Sequence, residues 1–100
     1  MLFRSALFPD TVTERGEKHL EELIALLPKA RPVLIPCLSR EDVLRFAPGD
    51  SADPRYGELF RLALERGVAV LPCRCRFEAR GVHWLGLATV EKGGPGVRPL

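Results

Sequence analysis

Asp53-Pro54-Arg55-Tyr56-Gly57-Glu58-Leu59-Phe60-Arg61-Leu62-Ala63-Leu64-Glu65-Arg66-Gly67, followed by Val68-Ala69-Val70-Leu71-Pro72-Cys73-Arg74-Cys75-Arg76-Phe77, is the stretch whose reading decides the fold class. Asp53 is a good N-cap, Pro54 sits at the one helical position where a missing N–H costs nothing, and Gly67 supplies the stop. The spacing predicts a helix over 54–66, with Tyr56, Leu59, Phe60 and Ala63 on its inner face. Glu58, Arg61 and Glu65 form a solvated outer ladder. After Gly67 the periodicity changes to that of a strand and alternates from residue 73 onward. A turn at 78–81 then leads into Val82-His83-Trp84-Leu85, so a hairpin is expected. Pairing Phe77 with Val82 places Trp84 opposite Cys75 and His83 opposite Arg76.

Upstream, Leu20, Leu23, Ile24 and Leu27 make the apolar stripe of an amphipathic helix, expected over 13–28. Thr13 caps it, Glu14 and Glu17 load its first turn with negative charge, Gly16 weakens that turn, and Pro28 and Pro32 close the far end. Val33-Leu34-Ile35-Pro36-Cys37-Leu38 reads as a short buried strand in which Pro36 removes a ladder donor and forces an irregularity. Residues 39–52 read as a helical turn within a loop, anchored by Phe46. The pattern strand, helix, strand, helix, hairpin predicts an α/β fold: a small mixed sheet with two main helices and a C-terminal hairpin. One domain over 1–90 and a flexible tail over 91–100 are expected, since Gly93-Gly94-Pro95-Gly96 cannot hold regular structure.

One hundred residues with 46% hydrophobic content make one core and leave no room for a second. A charged fraction of 28% and a net charge of +2 exclude both intrinsic disorder and a polybasic tail. Twelve of the fifteen basic residues are arginine, the side chain suited to bidentate phosphate or carboxylate contacts. No apolar run approaches the length of a membrane span, and the first ten residues do not form a secretory leader. Three cysteines do not make a disulfide framework, so a cytoplasmic setting and no membrane partner are expected.

Three constellations could carry chemistry. Cys37, Cys73, Cys75 and His83 together have the composition of a tetrahedral zinc site. The expected register turns His83 to the other face, and Leu71, Phe77 and Trp84 are suitable company for buried structural thiols, which is the preferred reading. Arg74 and Arg76 share the outer face with His83, near Arg80. They read either as a guarded sheet edge or as a phosphate-binding strip. On the first helix, Arg15, Lys18, His19 and Glu22 fall on one stripe, where a phosphate would meet both cations and the exposed amides of the helix start. The alternative there is a surface stripe with a Lys18 to Glu22 ion pair. No glycine-flanked nucleophile turn and no glycine-rich phosphate loop is present.

The run Phe8-Pro9-Asp10-Thr11-Val12-Thr13-Glu14-Arg15-Gly16-Glu17-Lys18-His19-Leu20-Glu21-Glu22-Leu23 closely resembles the C-terminal region of the sugar fermentation stimulation protein A (SfsA) family. The resemblance continues through Arg45-Phe46-Ala47-Pro48, Asp53-Pro54-Arg55-Tyr56, Leu59 to Val70 and Leu71-Pro72-Cys73-Arg74, and covers residues 6–88. It implies a restriction-endonuclease-like domain, accompanied in the family by an OB-like one, in proteins that bind DNA or RNA and are proposed to be nucleases. In the family an acidic residue and a Glu-x-Lys pair lie upstream of the Phe-Pro-Asp segment. No Glu-x-Lys occurs in this sequence, and Pro32 and Pro36 depart from the usual apolar strand.

The resemblance therefore implies a nucleic-acid-binding domain that is catalytically incomplete, with no catalytic residue and no metal ligand of its own. Mg2+ would enter only if a partner supplied the missing site. Contacts are expected from Arg15, Lys18, His19, Arg74 and Arg76, with Asp10 and Thr13 in support. An alternative is an assembly module that oligomerises, or pairs with a separately encoded partner, through an exposed sheet edge. An active nuclease built from Asp10, Glu14 or Glu17 ranks last.

Overall fold

A computed structural model of the chain describes residues 4–93, with the backbone alone at residue 4. Strand β1 (Arg4–Phe8) leads through Pro9 to helix α1 (Glu14–Ala25). Strands β2 (Val33–Leu34), β3 (Cys37–Leu38) and β4 (Val43–Pro48) follow, then helix α2 (Pro54–Arg66). Strands β5 (Ala69–Val70), β6 (Cys73–Glu78), β7 (Gly81–Leu87) and β8 (Thr89–Val90) complete the described chain.

Helix α2 has the predicted bounds. The Asp53 carboxylate accepts from the Tyr56 N–H at 3.0 Å, and Gly67 closes the helix with φ of 104°, a left-handed conformation suited to glycine. Helix α1 starts at its predicted cap, where Thr13 Oγ1 accepts from the Gly16 N–H at 3.1 Å. It stops at Ala25 rather than at 28. Leu26 and Leu27 donate to the carbonyls of Leu23 and Ile24, tightening the last turn ahead of Pro28, which has no N–H to continue the ladder.

The expected irregularity at Pro36 is present, and its partner strand carries one too. Val33 and Leu34 are in parallel register with Ala69 and Val70, and Cys37 and Leu38 with Cys73 and Arg74. The offset is the same on both sides of the gap, so Pro36 faces Pro72 and neither can donate. Leu71 N to Leu34 O and Cys73 N to Pro36 O, both 2.8 Å, carry the pairing across. The gap is a loss of donors without a slip of register.

Residues 43–48 correct the sequence reading. They form β4, the central strand of the order β1-β4-β8, paired in parallel on both sides. Val43-Leu44-Arg45-Phe46-Ala47-Pro48 is apolar at all but Arg45 and so has no clear period to separate strand from helix, and its two partners lie far away in sequence. Phe46 is the anchor expected, being 2% exposed in the core with Leu20, Tyr56, Leu59, Phe60, Ala63, Val68 and Ala88. Phe60 meets Phe46 with ring centroids 5.9 Å apart and Tyr56 at 6.4 Å. Gly16 lets α1 approach α2, since a Cβ there would stand 3.2 Å from Tyr56 Cε2 and 2.8 Å from Thr13 Cγ2. The glycine that weakens the first turn of α1 is thus what lets the helices meet.

The hairpin has the predicted pairs Cys75 with Trp84, Arg76 with His83 and Phe77 with Val82, and a bulge then sets Arg74 opposite Gly86. Its apolar face is not the buried one expected. Trp84 is 67% exposed and Phe77 and Val82 are each 58% exposed. Of the three thiols only Cys75 is buried, while Cys73 is half-buried and Cys37 exposed. The core gathers Leu20 of α1 and Tyr56, Leu59, Phe60 and Ala63 of α2 but none of Phe77, Val82 and Trp84, so among the described residues this face stays outside the core. Of the expected tail, the Glu91 N–H bonds Phe46 O at 2.8 Å and Lys92 O accepts from Arg61 at 3.2 Å. Residues 94–100 lie outside the described residues.

Candidate nucleic-acid interface

Strand β1 pairs only with β4, and β2 and β3 only with β5 and β6, among the described residues. Their other edges border a groove of about 880 Å³. Ala6, Leu7 and Phe8 line one side and Leu34 to Leu38 the other; Arg15, Gly16, Lys18, His19 and Glu22 of α1 join them, with Tyr56 and Phe46 at the core side. The cavity is thus apolar where it meets strand and core and charged where it meets the helix.

The start of α1 is positioned by one carboxylate. Asp53 caps α2 through Oδ1, and its Oδ2 accepts from the Thr13 N–H at 3.0 Å. A single buried side chain therefore joins both helix starts and orients the first turn that carries Arg15 and Lys18. Burial pushes the Asp53 carboxyl upward, but the N–H groups of Thr13 and Tyr56, with support from Glu17 and the Arg55 N–H, outweigh it and hold it below the usual range. Glu17 moves the other way, raised first by its hydrogen bond with Asp53 and then by burial. Sequence spacing marked Asp53 as a cap for α2. Its reach to Thr13, forty residues away, carried no local signal.

Arg15, Lys18 and His19 stand together as predicted, exposed along the groove. Among the described residues no carboxylate lies within ion-pair distance of Arg15 or Lys18, and the Lys18 to Glu22 pair is not formed. Thr13 also lines the groove, while Asp10 is exposed beyond it. Arg74 and Arg76 do not line it. The Arg74 guanidinium lies on carbonyls, with Nε 2.9 Å from Val43 O and Nη2 3.0 Å from Glu41 O. Arg76 pairs with Glu78 at 3.0 Å and Glu41 at 3.6 Å, and His83 lies 3.0 Å from Glu78.

Among the described residues Glu22 is the one carboxylate lining the groove. No three His, Cys, Asp or Glu side chains come together as a metal cage among the described residues, so the groups described here do not fit a divalent cation on their own.

The sequence profile described as "Sugar fermentation stimulation protein RE domain" matches residues 1–81. The chain belongs to the sugar fermentation stimulation protein family. A sugar fermentation stimulation protein homolog of Synechococcus sp. (strain WH7803) is 72% identical over 91 residues, which span 91% of this chain and 36% of that protein. One from Parasynechococcus marenigrum (strain WH8102) is 66% identical over 88 residues, spanning 88% of this chain and 35% of the relative. The chain thus spans about a third of the length of the curated relatives it matches. Among solved structures it is similar to Pyrococcus furiosus SfsA, a complex with Ca2+, with TM-score 0.81 and 30% identity over 91% of this chain and 40% of that one. The SfsA likeness matches the mixed α/β arrangement with two helices found here. Among the described residues no helix is long and apolar enough to cross a membrane.

Proposed function

We propose that this SfsA-family chain is a nucleic-acid-binding unit, of restriction-endonuclease-like descent, that takes a phosphate backbone at the start of α1 and does not cleave it unaided. The observation that carries this reading is the exposed trio Arg15, Lys18 and His19 beside a groove, with the two cations unpaired to any carboxylate among the described residues. The positive end of the α1 dipole adds to the same potential. Arg74 and Arg76 contribute less in this reading, because their guanidinium groups are already engaged. The chemistry is backbone binding that ignores base sequence and weakens steeply with salt. A cytoplasmic setting suits three free thiols.

Fluorescence anisotropy with labelled single- and double-stranded DNA and RNA, at low and moderate salt, tests it. Binding at low salt is expected, and the double variant Arg15→Ala/Lys18→Ala should lower the slope of log affinity against log salt by roughly two. Absence of any rise in anisotropy at low salt with every probe overturns the reading. A Mg2+-dependent cleavage assay on the same probes is expected to be blank.

Among the described residues the outer edges of β1 and of β2–β3 carry no strand partner, which favours a second reading, an assembly module that receives a strand from a second copy or a separate partner. Light scattering separates the two, since a strict monomer at high concentration counts against self-assembly.

A further inference from the structure

Cys37 on β3 and Cys73 on β6 are register partners in a parallel pair, so their side chains leave the same face of the sheet from neighbouring strands. Strands pair at about 4.8 Å, inside the Cα separation that a disulfide spans. Each cysteine follows one of the two prolines that face each other, Pro36 and Pro72, where neither strand has a donor, and β3 is only two residues long. The Cys73 N–H donates to Pro36 O at 2.8 Å and holds the two strands in register at this level, so the two side chains are already neighbours before any bridge forms. Cys37 is exposed, and Cys73 is half-buried with its Sγ 3.5 Å from Leu71 O. A small oxidant thus has access to one member of the pair while the other waits behind it.

We propose that Cys37 and Cys73 form an oxidisable dithiol that hydroperoxides convert to a cross-strand disulfide joining β3 to β6. In the first step the Cys37 sulfur attacks a peroxide oxygen. The O–O bond breaks, an alcohol or water leaves, and Cys37 becomes a sulfenic acid. In the second step the Cys73 sulfur attacks that sulfur, the S–O bond breaks, and water leaves with the thiol proton. The dithiol loses two electrons and the hydroperoxide gains them. Cys75 takes no part, because its side chain is buried and its neighbour across the hairpin is Trp84 rather than a thiol. Its thiol is pushed up by burial first and by the two nearby cysteines second, which keeps it protonated. The bridge fastens one wall of the groove, since Cys37 also lines that cavity.

The test uses the reduced chain, treated with hydrogen peroxide, quenched, then denatured for thiol titration and peptide mapping. Loss of two of the three thiols, a monomer lighter by two hydrogens and a 37–73 linked peptide are the expected results, and a thiol reductant should restore all three thiols. Cys75→Ser should retain the linkage, and Cys37→Ser should abolish it. Retention of three thiols in the wild-type chain overturns the proposal. So does a bridge between 73 and 75, a purely intermolecular bridge, or loss of a single thiol that the reductant cannot recover.

Discussion

The helix-covered side of the molecule and the β6–β7 hairpin have similar side chains and opposite surroundings. Around β4, the rings of Phe46, Tyr56 and Phe60 meet one another and are nearly inaccessible. On the hairpin, Phe77, Val82 and Trp84 occupy one face with regular cross-strand pairing, yet most of their surface meets solvent. Apolar content alone does not make a core. Two layers are needed, and the core that the helices build does not include these hairpin side chains. In the hairpin the cross-strand pair is the unit of stabilisation, and each such pair contributes a fraction of what burial supplies at Phe60.

The sharpest way to break this comparison is to delete matching rings. Phe60→Ala should cost about 3–5 kcal/mol, because the ring is fully enclosed and helix α2 cannot collapse onto β4 without losing its register with α1. Urea unfolding measures it, and a loss below about 1 kcal/mol would place the core elsewhere. Gly49→Ala should follow at about 1–3 kcal/mol, since a Cβ there would collide with the Pro9 carbonyl, a backbone atom that cannot rotate away.

Two titrations sharpen the contrast on the covered side. Asp53→Ala should lower the midpoint at neutral pH. Its deficit against wild type should shrink as pH falls, because a carboxyl held below its unfolded value of 3.8 stabilises the fold only while ionised and loses that contribution as pH drops through its native pKa. Thermal melts of both proteins across the acid range check this. Tyr56 works at the other end. Burial, aided by the Asp53 charge, pushes its phenol from 10.0 up to about 12. That contribution is complete below 10 and is lost as pH rises toward 12, so Tyr56→Phe should remove this part of the alkaline decline.

The smallest effect belongs to the hairpin. Trp84→Ser should change stability by about 0.5 kcal/mol or less in the monomer, as a largely solvated position does. A much larger loss that depends on protein concentration would mean that a second copy covers the face.

Local signals were enough for the helices. Asp53, Pro54 and Gly67 act within four residues of themselves, and the hairpin register followed from one turn. The basic stripe was equally legible, because the shared face of Arg15, Lys18 and His19 depends only on helical period. The groove beside it was not, since its other wall comes from β1 and from residues 34–38. The strand character of 43–48 and the link between Thr13 and Asp53 were hidden for the same reason. Arg74 shows the reverse case: its charge is plain in the sequence, but the carbonyls of Glu41 and Val43 that engage it are more than thirty residues away.

By itself, then, the sequence determined where both helices begin and where α2 ends, which way hairpin side chains alternate, which residues line one helical stripe, and the family pattern. Only the tertiary structure decided which apolar faces are covered, which strand edges are left open, and which arginines are occupied. Caps, turns and periods are set by forces acting over a few residues, whereas burial and strand pairing depend on segments that meet only once the chain has closed.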